Sequence, residues 1–170
     1  PKPFFIDDLT GLFNIHFLKQ RLPEELSRAR RYGHDLTVMM TGIDNFNSIK
    51  ENYGTKFSNY ILKEMAGILK KNSRVTDLFV RYGSQEFFTV FTETDIMGAF
   101  VIAKKLRLNV RKHKFSFRDM SVKLTISSGL CSYPDLGSHN DQVVIKTVND
   151  MFGKAKKMGG DEVLVFMNNK

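Results

Sequence analysis

The spacing of apolar residues along the chain changes period several times, and each change predicts an element. Residues 7–14 are a polar turn leading into a helix, where Phe17, Leu18 and Leu22 open an apolar face. Pro23 fits best in the first turn of a second helical segment, continuing through 24–32 and closed by Gly33. Residues 36–40 form a short apolar run between polar neighbours and predict a buried central strand. Ile61, Leu62, Met65, Ile68 and Leu69 recur at helical spacing, predicting a helix over 58–72 whose stripe is core. At 78–82 and 87–91 the pattern becomes that of strands rich in aromatic and β-branched residues, and Gly83-Ser84 between them predicts a two-residue hairpin turn. Thr94 or Asp95 is the expected N-cap of a helix reaching Lys112, with Phe100, Ala103, Leu106 and Val110 inward. Beyond it the pattern predicts a strand over 122–131, a Pro/Gly/Ser loop over 133–140, a helix over 142–157 ended by Gly159-Gly160, and a closing strand over 162–166. This order predicts an α/β fold, an α+β sandwich with a mixed central sheet flanked by helices.

Composition narrows the class. A chain of 170 residues, 42% hydrophobic and 26% charged, is expected to fold as a single domain over 1–170 with a substantial core. No apolar run approaches the ~20 residues of a membrane span, and 1–8 lacks the basic start and apolar stretch of a signal peptide. A cytoplasmic domain is therefore expected, and the start without Met suggests one cut from a longer multidomain signalling protein, whose full length could be membrane-anchored. The net charge of +8 favours anionic partners, but Lys and Arg are spread over many segments with no single basic block. The simpler reading is a solvated surface, with neither nucleic acid nor membrane as partner. One cysteine, Cys131, excludes zinc knuckles and disulfide frameworks and reads as buried filler.

Two places carry candidate chemistry. One is the hairpin tip, Gly83-Ser84-Gln85-Glu86, together with the loop after the central strand, where carboxylates could hold a hard cation beside a triphosphate; in that loop Asp44 offers one. The other is Arg74 and Asp77, three apart just before the hairpin, whose plain reading is a surface salt bridge.

Four segments together resemble a known family, the GGDEF or diguanylate cyclase domains: Asp7-Asp8-Leu9-Thr10-Gly11-Leu12-Phe13-Asn14, Ile43-Asp44-Asn45-Phe46, Arg81-Tyr82-Gly83-Ser84-Gln85-Glu86-Phe87 and Ala155-Lys156-Lys157-Met158-Gly159. The resemblance covers essentially the whole chain and implies a nucleotide-cyclase-like sheet with a signature β-hairpin in a bacterial signalling protein. Active members condense two GTP molecules into cyclic di-GMP, each domain of a dimer holding one GTP.

Carried over residue by residue, the resemblance implies a degenerate member. Gly42 stands where the family has its first metal-binding Asp, and Gln85 stands where the signature has the Asp or Glu that binds metal and helps activate the attacking hydroxyl. Lys50 and Asn59 replace the residues that read guanine, and Ser84 replaces the second signature Gly. Asp44, Glu86 and the phosphate-contacting Lys156 persist. The implied outcome is a catalytically inactive domain with no metal site and no cofactor, Mg²⁺ entering only with residual GTP, and GTP bound weakly or not at all. Arg74-Val75-Thr76-Asp77 reproduces the Arg-x-x-Asp inhibitory site at which the family binds cyclic di-GMP, with Lys105 where many members supply a further Arg. An Arg fork suits the O6 and N7 edge of guanine and an Asp accepts from N1 and N2. The expected role is a regulatory or binding module in cyclic di-GMP signalling, pairing as a homodimer or with other GGDEF or EAL-type domains. The alternatives are a divergent active cyclase or nucleotide-binding enzyme using Asp44 and Glu86, and a purely structural dimerisation or partner-binding domain.

Overall fold

The computed structural model describes residues 2–168, beginning with a short helix, α1 (Lys2–Phe5). Its frame is a five-stranded mixed sheet whose middle strand, β1 (Leu36–Ile43), is buried at every position. β1 lies antiparallel between β3 (Glu86–Thr92) and β6 (Ile126–Ser132); β2 (Leu78–Arg81) pairs antiparallel with β3 at one edge, and β7 (Val163–Val165) runs parallel to β6 at the other. The spatial order is β2-β3-β1-β6-β7.

Alternation along β1 builds two cores, because successive side chains point to opposite faces. Leu36, Val38 and Met40 meet α2 (Ile15–Tyr32) and α7 (Asp141–Lys157) through Leu18, Leu22, Leu26, Val144, Val148 and Phe152. Met39 and Ile43 face α4 (Thr55–Lys71) and α5 (Ile96–Lys112), where Phe57, Ile61, Met65, Ala103 and Leu106 are buried. Burying each large aliphatic or aromatic side chain contributes about 1.5–3 kcal/mol, so the two layers fix which ends of the strands reach the surface.

Several expectations need correction. α2 is one continuous helix with Pro23 inside it, since Leu18, Leu22, Glu25, Leu26 and Ala29 form one uninterrupted buried face. β1 runs on to Ile43, so Gly42 is a strand residue and not part of a loop. The hairpin connection is 82–85, longer than two residues, and the N–H groups of Tyr82 and Gly83 both donate to the Glu86 carbonyl. α3 (Phe46–Tyr53) precedes α4, which itself begins at Thr55; a small hairpin of β4 (Phe115–Phe117) and β5 (Met120–Val122) takes up residues read as loop and strand; and α6 (Tyr133–Leu136) occupies part of the predicted 133–140 loop. Among the described residues no helix is long and apolar enough to cross a membrane.

Candidate functional site

The register of β1 decides what surrounds the first candidate site. Gly42 sits opposite Glu86 on one side and Ser127 on the other, on the sheet face that α7 covers. There α7 places Phe152, 5% exposed, directly over the glycine: a Cβ added at Gly42 would overlap the ring's Cζ and lie 2.9 Å from Cε1. The helix sits hard on the neighbouring strand, since a Cβ at Gly129 of β6 would overlap the Phe152 backbone nitrogen and lie 2.8 Å from the Val148 carbonyl oxygen. One turn further along α7, the Lys156 ammonium stands 5.0 Å from the centre of the Phe152 ring, a cation–π contact.

Asp44, just past the end of β1, is committed to the fold. Its carboxylate accepts from the Thr125 hydroxyl, the Ser127 hydroxyl and the Asp161 N–H, each at 2.7 Å. Gly160, at φ +81°, packs so closely that a Cβ there would lie 2.7 Å from the Asp44 carboxyl carbon. Asp161 in turn pairs with Arg107 at 2.9 Å and Arg111 at 3.5 Å. Asp44 thus joins the exit of β1 to β6 and to the turn after α7, and both of its oxygens accept bonds there.

At the hairpin tip the Glu86 side chain folds back over Gly83, where a Cβ would overlap Oε1. Ser84 is exposed, and its carbonyl accepts from Arg81 Nη2 at 2.9 Å. Asp7 braces the tip from the N-terminal turn: it faces Arg81 Nη1 and accepts from the Thr10 N–H and hydroxyl at 2.9 and 2.7 Å. Partial burial pushes the Asp7 carboxyl up, but the Thr10 bonds and the Arg81 guanidinium outweigh it and hold the group below its ordinary range. Lys50 is exposed on α3 and Asn59 is half-buried on α4.

A divalent metal of the kind the family resemblance implies is not accommodated by these groups. Gly42 offers no side-chain oxygen, an aromatic ring fills the space beside it, Asp44 already accepts three hydrogen bonds from the fold, and Glu86 lies next to an amide at Gln85 instead of a second acid. Among the described residues no group of three or more His, Cys, Asp or Glu side chains is placed to hold a metal ion.

The second site is built around a buried carboxylate. The Asp77 side chain has 0% exposure and accepts from the Arg74 N–H at 3.0 Å, closing the turn before β2. Arg74 is 52% exposed; its Nη2 bonds the Thr92 carbonyl at 2.6 Å and the Thr94 hydroxyl, and lies 3.4 Å from Asp77 Oδ1. Burial raises the Asp77 carboxyl, and the bonds and charge of Arg74 recover only part of that shift. Beside the pair lies a cleft of about 330 Å³ bounded by Phe13, Lys70, Arg74 and Asp77. Lys105 is exposed on α5. Arg74 and Asp77 are therefore brought together, and Lys105 lies one turn before Asn109, whose side-chain amide donates to Asn72 Oδ1 at 2.8 Å.

Sequence reading missed Phe152. Its place on the buried face of α7 is legible from helical spacing, but its contact with Gly42 depends on a strand register and a helix seat that no local pattern encodes.

The family model described as "Diguanylate cyclase, GGDEF domain" matches residues 4–162. Diguanylate cyclase DgcP of Pseudomonas aeruginosa is 30% identical over 159 residues, covering 94% of this chain, which spans only 23% of DgcP. The crystal structure of diguanylate cyclase SiaD in complex with its activator SiaC, from Pseudomonas aeruginosa, superposes with a TM-score of 0.90 at 25% identity, covering 97% of this chain and 63% of that one. The GGDEF domain of DgcB from Caulobacter crescentus, in complex with c-di-GMP, has a TM-score of 0.90 at 19% identity, covering 95% of this chain and 93% of that one. With the sheet order, the hairpin and the matched segments in agreement, the chain belongs to the GGDEF diguanylate cyclase domain family.

Proposed function

We propose that this is a degenerate GGDEF domain that does not form cyclic di-GMP and serves as a regulatory module within a longer signalling protein, of which residues 1–170 make up one domain. The observation carrying the reading is the pair Gly42 and Gln85, set where the family's chemistry needs two metal-binding acids. Phosphoryl-type transfer depends on positioning and on neutralisation of charge by metal and cations. Each ~1.4 kcal/mol of lost transition-state stabilisation lowers the rate about tenfold, so the loss of two metal ligands removes turnover.

The ligand of the module is cyclic di-GMP, taken at Arg74, with Asp77 holding the guanidinium in place and Lys105 adding charge from α5. The half-exposed Arg74 beside an open cleft supports this, as does the c-di-GMP complex of the DgcB domain. Its macromolecular partner is a second GGDEF or an EAL-type domain. Titration by calorimetry should show heat for the wild type and a large loss in R74A; absence of heat in the wild type would remove the receptor role.

Kinship favours a second reading. DgcP and SiaD are named diguanylate cyclases, and this chain retains Glu86 and Lys156, so a divergent cyclase would use those two groups. Incubation of the purified protein with GTP and Mg²⁺ or Mn²⁺, followed by mass spectrometry, decides between them. The regulatory reading expects no cyclic dinucleotide; its appearance, and loss in E86Q, would establish the enzyme instead.

A further inference from the structure

We infer that Phe152 closes the place beside Gly42 where a metal-binding side chain would have to stand, so that restoring acids at 42 and 85 does not by itself restore a metal site. This rests on the metal-free reading of Gly42 and Gln85 and adds a third determinant, neither acidic nor within the signature hairpin.

The colliding atoms are at the far edge of the ring, Cζ and Cε1. A ring at the surface would turn aside, but this one is 5% exposed within the core formed by Met40, Cys131, Val144 and Val148. The backbone of α7 at Phe152 rests directly on Gly129, and this close seat is what carries the ring so far over β1. Interiors at crystal-like density relieve such an overlap only by moving several neighbours together. Any side chain at position 42, acidic or not, therefore competes with the ring for one volume. Lys156 is tied to the same ring through its cation–π contact, so the residue matching the family's phosphate-contacting lysine is coupled to the plug. A leucine at 152 ends at Cδ: it keeps the apolar contact that seats α7 while removing Cζ and Cε1.

The test compares wild type, G42D/Q85E, F152L and G42D/Q85E/F152L in titrations with Mn²⁺ alone, followed by electron paramagnetic resonance, with circular dichroism as the check on folding. Saturable Mn²⁺ binding is expected only in the triple variant, at least about tenfold tighter than any in the double variant. Equal affinity in the double and triple variants would overturn the inference, as would a folded triple variant that binds no Mn²⁺. Saturable binding by the wild type, lost in E86Q, would instead sink the metal-free reading on which it rests. A second measurement needs no acid at 42: G42A should lower the thermal unfolding midpoint in the wild-type background and barely shift it in the F152L background. Equal shifts in both backgrounds would show that the ring does not occupy the space, and the inference would fall.

Discussion

Arg81 Nη1 lies 3.3 Å from both carboxylate oxygens of Asp7, while its Nη2 holds the Ser84 carbonyl, so one guanidinium ties the N-terminal turn to the signature hairpin. The folded state binds the Asp7 proton less readily than the unfolded chain does. Its contribution is therefore full above the unfolded carboxyl pKa of about 3.9 and is lost as pH falls through the lower folded value. D7N should lower stability at pH 7, and the gap to wild type should close on acidification below about pH 4. Urea unfolding at stepped pH measures this; a gap independent of pH would assign the effect to the Thr10 bonds alone.

Asp77 has the opposite sign. Burial raises its pKa above the unfolded value, so the stability linked to its protonated form is present below about pH 3.9 and lost as pH rises through the folded pKa. Arg74 is the counterion of the Asp77 carboxylate in its charged form. R74A leaves that charge without a partner, at a cost of roughly 1–2 kcal/mol once discounted for the half-exposed guanidinium. Unlike an ordinary surface truncation, the loss should shrink on acidification, because a protonated Asp77 no longer needs the cation. Stability of R74A measured at pH 7 and in the acid range checks it.

Asp44 should prove structural. D44A strands the Thr125 and Ser127 hydroxyls and the Asp161 N–H, and hydrogen bonds to charged groups contribute about 1.5–3 kcal/mol each, so a loss of roughly 3–5 kcal/mol is expected, allowing for rearrangement and water entry. D44N, with one acceptor oxygen left, should lose less. Denaturation midpoints of the two variants give the comparison; a D44A protein as stable as wild type would free Asp44 for a ligand role.

The elements most easily read from sequence are those whose signals are local. Asp95 is a cap because its side chain can accept from the Gly98 N–H, which it does at 2.8 Å, and β1 is legible because a short apolar run has nowhere to go but the interior. The strands of the hairpin were legible for the same reason, but its connection was not: its length depends on which N–H groups meet the Glu86 carbonyl. The β4–β5 hairpin carries only three residues on each side and is held by packing of Phe115 and Phe117, too short to show alternation. At the candidate site, the glycine at 42 and the amide at 85 were legible directly from the sequence. The commitment of Asp44 to Thr125, Ser127 and Asp161, and the filling of the Gly42 space by Phe152, arise from residues far apart in the chain and emerge only once the sheet is assembled.

Pro23 sets local propensity against tertiary packing, and packing wins. The proline has no N–H to give the Lys19 carbonyl, and a helix-interior proline costs about 3 kcal/mol relative to alanine. α2 nevertheless continues, because Leu22 before it and Leu26 after it enter one core, and because Glu25, 5% exposed, is held by Arg21 at 2.9 Å and Arg28 at 3.3 Å. Breaking the helix would forfeit both. The Pro23 ring itself is exposed, so P23A removes no buried contact. It restores a backbone bond and loses the stiffening that proline gives the unfolded chain, worth about 0.4–1 kcal/mol. P23A should therefore stabilise the domain by roughly 2 kcal/mol, seen as a higher urea midpoint with an unchanged m-value. A neutral or destabilised P23A would mean that α2 must bend at Pro23 to lie on the sheet.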